Sequence, residues 1–176
     1  IRDIGVTAPL MIMQSNGGVL PAPLVGANPV YIIESGPAAG VVGAQRLGAH
    51  LDMRNLMVLD MGGTTAKASI IENGEITIMP GAEVGVTQIG NRLIQGAGFP
   101  IQAPTIDIAE VGAGGGSIAW MDAGGGVHVG PRSAGADPGP VCYDQGGDQP
   151  TVTDANMILG YLNPDVPVGG DLPVTF

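Results

Sequence analysis

The chain has 176 residues, enough for one domain, or one lobe of a larger domain, with a real core. Six Lys and Arg stand against 16 Asp and Glu, a formal net charge of −10 that repels phosphate backbones and argues against nucleic-acid binding. Hydrophobic residues at 44% exclude the disordered class, and no stretch reaches the roughly 18 apolar residues of a membrane span.

In chain order, residues 6–13 (VTAPLMIM) predict a strand, followed by a turn over Gln14-Ser15-Asn16-Gly17-Gly18. Residues 30–34 (VYIIE) predict a second short strand that ends at Ser35-Gly36-Pro37. A helix then follows, with Val41, Val42, Ala44, Leu47 and Leu51 on one side, Ser35 as N-cap and Pro37 in the first turn. Residues 56–61 (LMVLDM) are almost wholly apolar, the pattern of a central strand covered on both faces. Gly62-Gly63 form a turn, residues 65–71 a second strand and residues 75–79 a third, with Asn73-Gly74 as a two-residue hairpin signal. A short helix is expected over 90–97, a strand over 104–111, and a hairpin from residues 117–122 and 126–130 around Gly124-Gly125. Residues 131–150 read as loop, and Thr153 or Asp154 is expected to cap a last helix over 154–162. The 31 glycines and 15 prolines show no short period, so they read as turns and close backbone approaches within a folded unit.

The motif richest in chemistry is Asp60-Met61-Gly62-Gly63-Thr64-Thr65-Ala66-Lys67. An acidic chain must hold an anion locally, and bare glycine backbone between two strands leaves N–H groups for phosphate oxygens. Strand alternation sends Thr65, Lys67 and Ser69 to one face, and Asp60 sits where a carboxylate would hold Mg²⁺ through water. The competing reading is an ordinary tight hairpin. No Walker sequence occurs and no helix is expected directly after the turn. Two further anion cradles are candidates: Gly114, Gly115 and Gly116 in the glycine run 112–116, and Ser35 with Gly36 at the strand-to-helix junction. Backbone packing competes at the first, and a plain connection at the second.

The D-x-G-G-T-x-x-K turn resembles the phosphate hairpin of the actin-like, ribonuclease H-like ATPase fold. MQSNGG (13–18), ESGPAAGVVGA (34–44), DMGGTTAK (60–67), GAGGGSIAW (112–120), VGPRSAGADPGPVCY (129–143) and PTVTDAN (150–156) follow the order and spacing of the hydantoinase A family. That family includes 5-oxoprolinase chains and the large subunits of acetone carboxylases. The chain resembles an internal fragment of such a subunit and begins in mid-pattern at Ile1. The resemblance implies an α/β chain with a mixed sheet: an ATPase lobe over 35–100 and a glycine-rich β extension with a C-terminal helix over 101–176. It also implies ATP and Mg²⁺ as cofactors, with ATP phosphates on Asp60, Gly62, Gly63, Thr64 and Thr65, joined by Lys67 where many relatives carry Asp. The implied activity is phosphorylation of a small carbonyl or cyclic amide (hydantoin, 5-oxoproline or ketone) for ring hydrolysis or carboxylation. Implied partners are the remainder of the subunit and a hydantoinase B-like subunit.

A packing module without catalysis is the alternative, since a high apolar share at 3% aromatics leaves surface for a partner to cover. A metal-dependent amidohydrolase is disfavoured by the lack of a His cluster. His50 at a helix end, His128 without a local acidic partner, and Cys142 without a local base are expected to be structural. Asp137 is loop-borne, while Asp144 and Asp148 read as solvated turn residues. A lone cysteine excludes an internal disulfide and fits a cytoplasmic setting.

Overall fold

The computed structural model describes residues 2–84, 88–89, 92–93, 98–165 and 174. In chain order the elements are β1 (Met11–Met13), β2 (Val19–Pro21), α1 (Ala22–Ala27), α2 (Ser35–His50), β3 (Leu56–Met61), β4 (Ala66–Glu72), β5 (Glu75–Ile76), β6 (Ile78–Met79) and β7 (Ala82–Val84). They continue as β8 (Gln88–Ile89), β9 (Arg92–Leu93), β10 (Phe99–Ile101), β11 (Thr105–Ile106), β12 (Ala109–Val111), β13 (Ser117–Met121), β14 (Val127–Ser133) and α3 (Val152–Ile158). The fold is mixed α/β. Its four-stranded sheet has the order β12-β4-β3, with β5 antiparallel on β4.

The chain forms two compact units, Ile1–Val58 with Ala68–Ala109, and Leu59–Lys67 with Glu110–Phe176. In the first, α2 lays Ala38 and Val41 against Ile71 of β4 and Ile106 of β11, with Val42, Ala44, Leu56 and Ile76 around them. The expected β3-turn-β4-turn-β5 meander is present. Asn73 and Gly74 both adopt positive φ (55° and 83°), as a primed hairpin turn requires. In the second unit, β13 and β14 form the expected hairpin, and Cys142, Met157 and Val174 make a small core beside Tyr143 and Leu162.

Several local expectations are corrected. Only Met11–Met13 of the 6–13 stretch is strand, and it pairs with Val19–Pro21 in a hairpin. Residues 30–34 are not extended. Pro29–Ile32 form a 3₁₀ turn, because Pro29 fixes a helical φ and the Ser15 amide takes the Tyr31 carbonyl (2.7 Å) away from any sheet. Helix α2 therefore begins from a turn, not a strand. Its N-cap is Glu34 without a side-chain cap bond, and Ser35 is its first residue, while Pro37 does lie in the first turn.

The buried stripe of α2 runs through Ala38, Val41 and Gly48, leaving Leu47 and Leu51 exposed. Close approach at Gly48 sets this rotation, since a Cβ there would lie 2.6 Å from Leu56 Cδ1 and 2.7 Å from the Met53 carbonyl. Strand β3 is not covered on both faces, with Met57 76% and Leu59 66% exposed. The expected 75–79 and 104–111 strands each split in two. At the second break, the Asp107 amide donates to Thr77 O (2.9 Å) and its carbonyl accepts from Ser69 Oγ (2.8 Å). Strand β14 extends to Ser133, into the expected loop, where Val141–Tyr143 add a 3₁₀ turn.

The helix expected over 90–97 lies outside the described residues except at Arg92–Leu93, which are extended and pair with Gln88–Ile89. The last helix spans Val152–Ile158 and is capped by Thr151, not by Thr153 or Asp154. Thr151-Val152-Thr153-Asp154 is a capping box, and the [S/T]-x-x-[D/E] spacing carried that signal.

Candidate phosphate site

The candidate turn and the glycine run both lie in the second unit. Asp60 is exposed near the end of β3. Gly62, Gly63, Thr64 and Thr65 form the turn, closed by Gly62 N–H donating to Thr65 O at 2.9 Å. Lys67, on β4, is 18% exposed at its side chain and lies 3.9 Å from Glu110 Oε1. Ser35 and Gly36 belong to the other unit, as the first residues of α2.

The turn is bolted to the glycine run. Gly115 N–H donates to Gly62 O (2.9 Å) and Gly116 N–H to Gly63 O (2.7 Å). Gly114 N–H donates to the buried Ser117 Oγ at 2.8 Å, and Gly114 O accepts from Ser117 N at 3.0 Å. Gly115 O accepts from both the amide and the hydroxyl of Thr153 (2.8 Å each), and Gly116 O from Ala134 N (2.8 Å). Every main-chain polar group of Gly114, Gly115 and Gly116 is thus committed inside the protein. The absence of side chains here is steric. A Cβ on Gly114 would lie 2.6 Å from Thr65 N and 2.7 Å from Gly62 O and Gly63 C.

This bolting orients the turn's donors. In a trans peptide the C=O and the following N–H point in opposite directions, and neither peptide on Gly63 is cis. With the Gly62 and Gly63 carbonyls held on the glycine run, the N–H groups of Gly63 and Thr64 are directed away from it. Both residues are exposed, and among the described residues neither amide donates a hydrogen bond. Two consecutive outward amides are the kind of donor pair that suits an anion. Nothing lies within 4 Å of a Cβ built on Gly63, so the turn is open on that side. Among the described residues no group of three His, Cys, Asp or Glu is placed to hold a metal. A Mg²⁺ ion there would be held by Asp60 together with phosphate oxygens and water, the usual arrangement for this ion.

The remaining candidates sort by their surroundings. Asp154 Oδ1 accepts from Cys142 N (2.7 Å), and its Oδ2 accepts from Thr151 N and Thr151 Oγ1 (2.7 Å each). Burial pushes this carboxyl up, but those donors outweigh it and hold it below the ordinary carboxylate range. Cys142 is buried, and burial together with the adjacent Asp154 carboxylate pushes its thiol up to about 11. At neutral pH it is a protonated thiol and a poor nucleophile. Alkylation by a maleimide at pH 7 is expected to be at least about tenfold slower in the folded protein than after denaturation. Equal rates would contradict this environment.

His128 does have an acidic partner, contrary to expectation. Asp122 Oδ2 lies 2.6 Å from His128 Nε2 across the β13–β14 hairpin, and Trp120 stacks on the imidazole at 4.6 Å. Its hydrogen bond to His128, then the amides of Gly126 and Gly124, hold the Asp122 carboxyl low. The signal was hairpin register, which sets residue 128 opposite residue 120 and beside residue 122. His50 ends α2, and Asp137, Asp144 and Asp148 are exposed.

A mixed α/β unit carrying a glycine-bracketed β turn defines the class, and sequence similarity defines the family. The chain belongs to the hydantoinase/oxoprolinase family, whose model matches residues 1–174. It is similar to an uncharacterised protein of Methanocaldococcus jannaschii, 48% identical over 92% of this chain and 24% of the relative. It is similar also to the caprolactamase subunit alpha of Pseudomonas jessenii, 41% identical over 97% of this chain and 23% of the relative. Among solved structures it resembles nucleotide-free acetone carboxylase, from a study of ATP-dependent acetone carboxylation, with a TM-score of 0.71 and 31% identity over 98% of this chain and 22% of that one. The ATP-dependent caprolactamase of Pseudomonas jessenii gives a TM-score of 0.68 at 37% identity, over 99% of this chain and 23% of that one. The chain therefore spans about a quarter of the length of these relatives. Several relatives are named as subunits (alpha, beta or gamma) of their enzymes. No helix among the described residues is long and apolar enough to cross a membrane.

Proposed function

We propose that this chain is part of an ATP-dependent subunit that activates the oxygen of a small carbonyl or cyclic amide by phosphorylation, ahead of ring hydrolysis or carboxylation. The observation that carries the reading is the turn at 62–65, whose carbonyls are fixed behind it and whose Gly63 and Thr64 amides face outward. In a chain of net charge −10, such preorganised main-chain donors are the economical way to hold phosphate. The two solved relatives, both ATP-dependent, support nucleotide as the anion.

In this reading Gly63 and Thr64 supply amide donors, Thr65 and Lys67 project toward the phosphates, and Asp60 holds Mg²⁺ through water. Gly62 and Gly114 to Gly116 shape the turn without contacting the nucleotide, since their amides are already bonded. Ser35 and Gly36 offer a separate anion cradle of their own at the start of α2. The lobe is of the actin-like ATPase type. The proposed division at residue 100 is one of roles, with the phosphate turn in the 35–100 stretch and its bracket in the 101–176 extension. A cytoplasmic enzyme acting with the rest of its subunit and a hydantoinase B-like partner completes the proposal.

Calorimetric titration of Mg-ATP into the full-length subunit tests it. Asp60→Asn and Lys67→Ala are each expected to weaken binding roughly 10- to 100-fold, the worth of a charge-assisted contact. Binding indifferent to both would favour the alternative, a packing module. The exposed row Met57, Leu59 and Met61 on one face of β3 suits a covering partner. Turnover by the complete complex of hydantoins, of 5-oxoproline, or of ketones with bicarbonate distinguishes the substrate classes.

A further inference from the structure

We propose that Thr153 is a positioning residue for the phosphate turn, acting on the Thr64 amide through two linked peptide groups; this rests on reading the turn as a phosphate site. Thr153 is not needed to cap its own helix. Thr151 and Asp154 form the complete capping box of α3, with Thr151 Oγ1 accepting from Asp154 N and the Asp154 carboxylate accepting from Thr151 N. Both donors of Thr153 instead go to a carbonyl 38 residues away, Gly115 O, at 2.8 Å each.

That carbonyl shares its peptide group with Gly116 N–H, which donates to Gly63 O at 2.7 Å. The Gly63 carbonyl in turn shares its peptide with Thr64 N–H, one of the two outward amides. The sequence of bonds is therefore Thr153 to Gly115 O, Gly116 N–H to Gly63 O, and then Thr64 N–H toward the anion. A parallel run starts at Ser117 N, passes through Gly114 O and Gly115 N–H to Gly62 O (3.0 and 2.9 Å), and ends at Gly63 N–H. Peptide groups joined head to tail polarise one another, so each donor at the far end strengthens the exposed amide at the near end. The same bonds fix the angle of the peptide plane. Of the two runs, only the first begins in a side-chain donor, and that hydroxyl can be removed without touching the main chain. A Cβ on Gly115 would lie 2.9 Å from Thr153 Oγ1, which shows how closely the hydroxyl is fitted to this carbonyl.

The test measures Mg-ATP affinity of the full-length subunit by calorimetry, with thermal denaturation as a check that each variant is folded. Thr153→Val keeps the shape and the main-chain bond but loses the hydroxyl donor. It is expected to weaken binding about three- to tenfold, the size of one modest hydrogen bond. Thr153→Ser retains the donor and is expected to stay within about twofold of the native protein. Thr64→Pro deletes the amide at the end of the run, and on that background Thr153→Val should add nothing, because it acts through the deleted group.

If Thr64→Pro binds normally, the phosphate reading itself fails. If Thr64→Pro weakens binding and Thr153→Val does not, only the positioning role fails. An equal loss from Thr153→Val with and without Thr64→Pro would show general loosening and overturn the proposal. Should Thr64→Pro not fold, Asp60→Asn serves as the control for the phosphate site. The contrast between Thr153→Val and Thr153→Ser then decides, and equal affinity of the two sinks the proposal.

Discussion

Replacing Gly114 by alanine is expected to cost about 2–4 kcal/mol of folding stability and to abolish Mg-ATP binding in the full-length subunit. The added methyl would sit 2.6 Å from Thr65 N and 2.7 Å from Gly62 O and Gly63 C, all main-chain atoms that cannot swing aside as a flexible side chain does. Relief requires the glycine run to back away from the turn, which stretches the Gly115–Gly62 and Gly116–Gly63 hydrogen bonds (2.9 and 2.7 Å) that aim the outward amides. The informative comparison is Gly63→Ala, where a Cβ meets nothing within 4 Å. That variant is expected to fold within about 1 kcal/mol of the native protein. Denaturant unfolding of the two variants gives the ordering. Equal stabilities would mean that the bracket does not hold the turn.

Asp154→Ala is expected to be comparably damaging, at about 2–4 kcal/mol, for a different reason. Its carboxylate accepts from the Cys142 amide, the Thr151 amide and the Thr151 hydroxyl, all at 2.7 Å. It therefore caps α3 and also holds Val141–Tyr143 beside it. Truncation strands three donors in a part-buried site, whereas Asp154→Asn keeps one acceptor and should fall between. The pH dependence follows from the lowered carboxyl. The folded state prefers the ionised form, so its contribution is present above the ordinary carboxylate value and is lost as the pH falls through the lowered folded one. Urea midpoints measured from pH 6 down to pH 2 should decline less steeply in Asp154→Asn than in the native chain. Parallel curves would show that Asp154 is not the group responsible.

The β3-turn-β4-turn-β5 meander was legible because its signals are local: apolar runs, the glycine pair, and Asn73-Gly74, whose positive φ values are what that dipeptide supplies. Helix α2 was legible in extent, but its rotation was not. Leu47 and Leu51 are good core residues by composition, yet they are exposed, because the approach of Gly48 to Leu56 turns Ala38 and Val41 inward. Residues 30–34 look like strand by propensity, but Pro29–Ile32 form a 3₁₀ turn, since Pro29 sets the local geometry and the Tyr31 carbonyl is taken by the Ser15 amide. The Asp122–His128 contact spans a hairpin, so its two ends become neighbours only once the register is known.

What the sequence by itself offered is the location of the candidate site, the glycine turn that follows Asp60 in an acidic chain with few cations to spare. It also determined the family, because the glycine-rich motifs keep their order and spacing. Only the tertiary structure decided which amides remain for a ligand. The glycines of 112–116 and those of 62–63 look equivalent as text, yet Gly115 and Gly116 spend their N–H groups fixing the carbonyls of Gly62 and Gly63. Hydrogen-bond saturation is a property of pairs brought together by folding, and a trans peptide converts each fixed carbonyl into an amide aimed the other way.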